Sequence, residues 1–428
     1  MKRRAWKGTL GIAALAAAAL GGLLWSAHSR ATAVFERHDR LVKDAIADLR
    51  SRPIVRAPFA ALAREFEAIP DAGLAGLPKF TDENKSAPNR AQVEGCLERY
   101  APLVERVKRL DRTPESSPSY RYEDGWAVDL PDGTGVIRAA QFFRDRADHL
   151  YQTGRRDEAL ESILLGLAVA HDTGRGGGID HWSHQIACEG IVTYFVRRTL
   201  ENHEFRAAEL GVFAKKIDRL STQRPTLADA LRVEDLLDRR SLLNLEFLGN
   251  DAPSAVYRDR EVIQGRSWRY LYSRRLAYAG ALDELEQLYA ASVRAASLPP
   301  PLQAEAAASI RSRLEASRNP VVRRIGPATE ELLKPDLSFR MKWTLLRTAI
   351  AVAWFEAEQG KSPDSLADLV PKYLPEVPSC IRTGKPLVCR DRKVWWVGRN
   401  GVDDGGKAGT NDSEMDEDGD AVWHVKRK

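Results

Sequence analysis

Apolar residues recur every three or four positions along most of the chain from Val34 to Ile325, and that period predicts helices. One is expected over Val34–Arg50, ended by Pro53, and a second over Pro58–Ile69, closed by Pro70. Ala91–Leu110 places Val93, Leu97, Leu103, Val104, Val107 and Leu110 on one side. Further helices are expected at Ile179–Asn202, Leu227–Gly249, Tyr270–Ala296, Leu302–Ala316, Ala328–Leu333 and Leu337–Gln359, the last stopped by Gly360. After the polar break Thr113–Ser119 come Tyr120, Tyr122 and Trp126, and Asp132-Gly133 is expected to close a small hairpin. Past Gly360, Ser362 is expected to cap a short helix that carries Leu366 and Leu369. Short strands are expected at Pro386–Val388, Val394–Val397 and Ala421–Trp423.

The stretch from Val136 to Thr173 holds two helices joined near Gly154. Leu150-Tyr151, Gly154 and then Asp157-Glu158-Ala159-Leu160 resemble one tetratricopeptide-type helical hairpin, in which small residues let antiparallel helices approach. No repeat of about 34 residues recurs elsewhere, so a bundle of helical hairpins is expected and not an array. Gly174-Arg175-Gly176-Gly177-Gly178 follows a helix and lacks the Gly-Lys-Ser/Thr ending of a phosphate loop. It is expected to be a flexible link.

The N-terminus changes the picture. Lys2, Arg3, Arg4 and Lys7 precede an uncharged stretch from Gly8 to Ala27. Twenty residues at helical rise span about 30 Å, one bilayer core. Residues 8–27 are therefore expected to form a transmembrane anchor, with residues 1–7 as a cytoplasmic tail and the bulk of the chain periplasmic. A cleaved signal is the alternative, with Ala31-Thr32-Ala33 as its cleavage site. Lys7-Gly8 imitates a prepilin cut, but the fifth residue after it is Ala13, where a pilin carries Glu.

Composition adds little to the class. The 428 residues are 43% hydrophobic and 29% charged, which excludes wholesale disorder. The net charge of +5 conceals an acidic stretch. Between Asn400 and His424 stand Asp403, Asp404, Asp412, Glu414, Asp416, Glu417, Asp418 and Asp420, against the lone base Lys407. Basic residues elsewhere are interspersed with acids and form no dense run, so a nucleic-acid partner is not expected. Four cysteines, Cys96, Cys188, Cys380 and Cys389, include no Cys-x-x-Cys pair. Cys96 and Cys188 are either buried thiols or a bridge between helices.

Candidate chemistry in the helical part is sparse. His181-x-x-His184 can put two imidazoles on one helix face, with His171 and Glu189 nearby in sequence, but no third ligand is identifiable. No Gly-x-Ser-x-Gly elbow and no His-Glu-x-x-His occurs, so no catalytic residue can be named.

The last part of the chain runs in a recognisable order. A helix ends in Gly360-x-x-Pro363, and Leu366-x-x-Leu369 and Tyr373-Leu374-x-x-Val377-Pro378 follow. Then come Gly384-Lys385-Pro386-Leu387, Val397-Gly398-x-Asn400-Gly401-x-Asp403-Asp404-Gly405-Gly406 and Asp418-Gly419-Asp420-Ala421-Val422-Trp423. This order resembles the globular part of major type II secretion pseudopilins. It is also similar to the tails of uncharacterised bacterial envelope proteins. The resemblance implies a calcium site, whose candidate ligands here are Asp403, Asp404, Asp412, Asp416, Asp418 and Asp420. Asp-rich, Gly-punctuated loops suit a hard cation that wants six to eight oxygens. An EF-hand is excluded, because Val425 stands where its bidentate Glu belongs. Ser379-Cys380-Ile381-Arg382 and Cys389 depart from the pseudopilin pattern, and in an oxidising compartment Cys380 and Cys389 are expected to staple that hairpin.

Together these readings predict a mainly α protein. Its parts are an anchor helix at 8–27, a helical-hairpin bundle at 34–333 and a small α+β pseudopilin-like module at 336–428. The function expected is a membrane-anchored scaffold of the bacterial inner membrane, bound to envelope proteins of a secretion or pilus-like system. The alternative is a hydrolase with its site near His181 and His184.

Overall fold

Helical spacing is realised as a chain of helices that divide their apolar faces between two cores. The computed structural model describes residues 2–51, 59–67, 90–110, 120–128, 133–202, 204–247, 268–397, 402–407 and 420–425, without the side chains of 2–18, 20, 50, 51, 60, 61, 90–93, 126, 127, 202, 246, 247, 268–274 and 421. The helices are α1 (Lys2–Ser51), α2 (Ala60–Glu67), α3 (Arg90–Lys108), α4 (Gly133–Gln152), α5 (Arg156–Gly174) and α6 (Ile179–Asn202). They continue as α7 (Ala207–Thr222), α8 (Leu227–Phe247), α9 (Trp268–Ser297), α10 (Pro300–Ala316), α11 (Pro320–Ile325) and α12 (Thr329–Gln359). Short 3-10 turns cover Tyr122–Ala127 and Leu366–Leu369. Strands β1 (Val388–Arg390), β2 (Lys393–Trp396) and β3 (Ala421–His424) form an antiparallel sheet in the order β1-β2-β3.

The first core gathers α2 to α5, α7 and the C-terminal sheet, with Phe66, Phe142 and Phe143 at its centre. The second gathers α1, Tyr120, Tyr122 and α8 to α11. Two helices belong to both. On α6, Trp182 and Ile186 enter the second core, whereas Cys188, Val192 and Phe195 enter the first. On α12, Leu333 and Phe339 enter the second, whereas Met341, Leu345 and Ile350 enter the first.

Residues 8–27 require a correction. No helix among the described residues is long and apolar enough to cross a membrane. The apolar stretch does not end where a span would. It continues within α1 into a charged segment reaching Ser51, whose Ala31, Phe35, Val42, Ile46 and Leu49 bury against the second core. The single-pass inner-membrane topology, the inner-membrane partner and the anchored-scaffold role all depended on that span, and they fall with it.

The cysteines require a second correction. Cys380, Cys389, Cys96 and Cys188 are all free thiols. Backbone hydrogen bonds already close the turn at Cys380, from Cys380 N to Lys385 O and from Gly384 N to Cys380 O, both 2.8 Å. Cys389 pairs with Val394 in the β1–β2 ladder. Burial, with Glu356 nearby, pushes its thiol up to about 11.

Several local expectations also change. Gly174–Gly178 is not a slack link: Gly174, Gly176, Gly177 and Gly178 are buried, and Tyr122 donates to Gly176 O at 2.6 Å. A Cβ at Gly177 would meet the His181 ring, and one at Gly178 the Glu234 carboxylate, so these glycines permit close approach. Gly133 begins α4 and closes no hairpin, and Tyr122–Ala127 is a 3-10 turn. Ser365, not Ser362, caps the Leu366–Leu369 turn, with Asp368 completing the box. The expected break before Leu337 is absent, since α12 runs through Pro335. Helix α7 was not foreseen, although Leu210, Phe213, Ala214 and Ile217 repeat at helical spacing and are all buried. Gly360 ends α12 with φ of 70°, as expected of a left-handed stop. The β1–β2 turn is made by Asp391 and Arg392, both at positive φ, which matches the right-handed twist of a two-residue hairpin.

Gly135 gives the packing a direct test. A Cβ there would meet the Ala63 carbonyl oxygen, which is backbone and cannot swing away. Gly135→Ala should therefore destabilise the protein by about 1–3 kcal/mol, the usual cost of overpacking, as read by urea unfolding. An unchanged midpoint would show that α2 does not pack on α4 this closely.

Candidate functional site

The acidic candidates divide according to where they lie. Asp412, Asp416 and Asp418 lie outside the described residues. Asp403, Asp404 and Asp420 are drawn together by the β2–β3 connection, because β3 returns to pair with β2. Asp403 Oδ1 accepts hydrogen bonds from Trp395 Nε1 and Gly405 N, both at 3.0 Å, and these bonds hold its carboxyl below the usual range. Gly405 and Gly406 both take positive φ, which turns their N–H groups toward these acids. Gly406 N donates to Asp420 Oδ2 at 2.8 Å. Asp420 is 3% exposed, and its Oδ1 has no hydrogen-bond partner among the described residues. Burial raises its carboxyl against the pull of the Gly406 and Asp404 backbone N–H groups, with the charges of Asp403 and Asp404 adding to the rise. The site is therefore rich in hard oxygen donors, with the charge of Asp403 favoured by its hydrogen bonds and that of Asp420 disfavoured by burial.

His181 and His184 belong to no cluster of three converged ligand side chains among the described residues. Their rings meet edge to face with centroids 6.1 Å apart, and they pack against Gly177 and Gly133. Among the described residues, the group of three or more His, Cys, Asp or Glu side chains with converged ligand atoms is elsewhere. His38, Asp283 and Glu286 hold ligand atoms within 4.8 Å of one another and can coordinate a metal ion. Asp283 and Glu286 lie one helical turn apart on α9, and α1 presents His38 to them. Arg37 Nη2 now fills the point on which they converge, 2.7 Å from His38 Nε2, 2.7 Å from Asp283 Oδ1 and 3.0 Å from Glu286 Oε2. Burial lowers the His38 imidazole, with Arg239 and Arg37 adding to the effect against the Asp283 hydrogen bond. Nothing in the sequence pairs residue 38 with residues 283 and 286, so this cluster was not foreseen.

A carboxylate fully enclosed by the fold is that of Glu189, on α6 between the two cores. Arg224 Nε donates to both of its oxygens at 3.0 Å, Trp343 Nε1 to Oε2 at 3.0 Å and Gln185 Nε2 to Oε1 at 2.8 Å. His171 Nε2 stands 3.2 Å from Oε1. Burial acts to raise this carboxyl, but Arg224, His171 and Gln185 together outweigh it and hold it at about 2. Of the histidines grouped in sequence near Glu189, it is thus His171 on α5 that reaches it.

Glu189→Gln should leave Arg224 buried without its counter-charge and lower stability by about 3 kcal/mol or more in chemical unfolding. A group with a depressed pKa contributes stability that is complete above its unfolded value, about 4.3, and is lost as pH falls toward about 2. The variant should accordingly lose part of the acid sensitivity in that window. An identical pH profile in both proteins would place the stabilising charge elsewhere.

No family model, curated protein or solved structure matches this chain.

Proposed function

We propose that this protein binds calcium through its C-terminal module, and that the ion ties β3 to the turn that follows β2. The observation that carries the reading is Asp420 Oδ1, a buried carboxylate oxygen with no hydrogen-bond partner among the described residues, set beside Asp403 and Asp404. Asp403, Asp404 and Asp420 would hold the ion, with further oxygens from the rest of the acidic stretch and from water. A divalent charge would relieve the repulsion among these acids. The pseudopilin-like order of motifs supports the same reading. So does the arrangement of α12 ending at Gly360, a short turn, an antiparallel sheet and an acidic connection before the last strand.

The ion would act on more than the loop. Trp395, which donates to Asp403, lies on β2, and β2 and β3 send Val394, Trp396 and Trp423 into the first core beside α12. Calcium binding would thus stabilise the whole sheet and its seat on the helical body.

Melting the full chain in calcium, magnesium and chelator tests this. Calcium at one hundred times its Kd should add about 2.7 kcal/mol of stability. Asp420→Asn should abolish that gain and leave the melt in chelator unchanged or slightly raised, because it removes a repelled charge. Asp283→Asn should retain the gain, which separates this site from the His38 cluster. A calcium effect that persists in Asp420→Asn, or no calcium effect at all, would overturn the proposal.

A further inference from the structure

A second binding feature lies at the seam between the two cores and is independent of the calcium reading. The α7–α8 connection, the end of α9, α12 and Ile381 of the C-terminal module enclose a cleft of 420 Å³. That volume falls within the range of pockets for small organic ligands. Arg224, Arg340 and Arg347 line it, together with Trp343, Leu227 and the acid Asp336.

The three guanidinium groups are committed to different degrees. Arg347 Nε donates to Asp218 at 2.6 Å. Arg224 is only 8% exposed; its Nε serves Glu189, but its Nη2 is buried with no hydrogen-bond partner among the described residues. Arg224 and Arg340 approach Asp336 only to 3.9 and 3.8 Å, beyond hydrogen-bond reach. Burial raises the Asp336 carboxyl against the pull of both arginines, which weakens it as their counter-ion. A buried guanidinium N–H without an acceptor is costly, and its planar fork matches the oxygens of a carboxylate or phosphate.

We propose that this cleft binds a small organic anion, its carboxylate or phosphate held between Arg224 and Arg340 and its apolar body laid against Trp343 and Leu227. The ligand's oxygens meet the part of the Arg224 guanidinium that borders the cleft, beside Arg340. Contact with these apolar side chains favours an organic anion over a bare inorganic one.

Calorimetric titration of the full chain at constant ionic strength tests this, with benzoate, phenyl phosphate, inorganic phosphate and the neutral benzyl alcohol as probes. Benzoate or phenyl phosphate should bind saturably and benzyl alcohol should not, and the tighter of the first two identifies the headgroup. Arg340→Gln, at a partly exposed side chain, should weaken binding by about tenfold or more without moving the thermal melt. Ser297→Trp, which fills the cleft from its exposed rim, should block binding. The proposal is overturned if neither organic anion binds, if inorganic phosphate binds as tightly as phenyl phosphate, or if both variants bind like the parent.

Discussion

Glu189 is the constraint on which the arrangement turns. A carboxylate taken fully out of water is tolerated only when its lone pairs are filled and its charge is met. Here Gln185 from the same helix, Arg224 from the α7–α8 connection, Trp343 from α12 and His171 from α5 all reach it. Each of these segments must therefore be in place before the charge is compensated. Apolar contacts tolerate a shift of a helix by a fraction of a turn, whereas hydrogen bonds to one carboxylate do not. Glu189 thus sets the register of α6 against α12 at the level where both helices pass from one core to the other.

The same geometry explains why the C-terminal module is not a loose appendage. Leu366, Leu369, Tyr373, Val394, Trp396 and Trp423 share a core with the far half of α12. Phe339 and Met341, on either side of the seam, belong to different cores although they are two residues apart. Trp343, which lines the cleft, lies on α12 between the seam and the part that seats the sheet.

Two acidic clusters show how differently a fold can treat excess negative charge. At His38, Asp283 and Glu286 the ligand atoms have converged, and a neighbouring guanidinium already supplies the positive charge. At Asp403 and Asp420 the hydrogen bonds come instead from neutral donors, Trp395 Nε1 and the backbone N–H groups of Gly405 and Gly406. Backbone dipoles carry only partial charge, so the buried Asp420 remains raised. The first cluster is met by a side-chain charge, and the second by neutral donors.

Local patterns in the sequence determined which segments became helix or strand. Period, proline and glycine were enough for α6, α8, α9 and the Gly360 stop, and the three strands lie close to where alternation put them. Helix α7 was equally legible from Leu210, Phe213 and Ile217, because its signal is local. The grouping of Asp403, Asp404 and Asp420 was also visible, since they share one connection. Tertiary structure alone decided the rest. The apolar start of the chain looked like a span until α1 was seen to continue to Ser51 and bury its second half. The glycines at 174–178 looked slack until the helices that press on them were in place. His171 with Glu189 and Arg224, and His38 with Asp283 and Glu286, are joined across elements far apart in the chain. No spacing rule encodes such pairs, because packing and not sequence distance determines which buried charges meet.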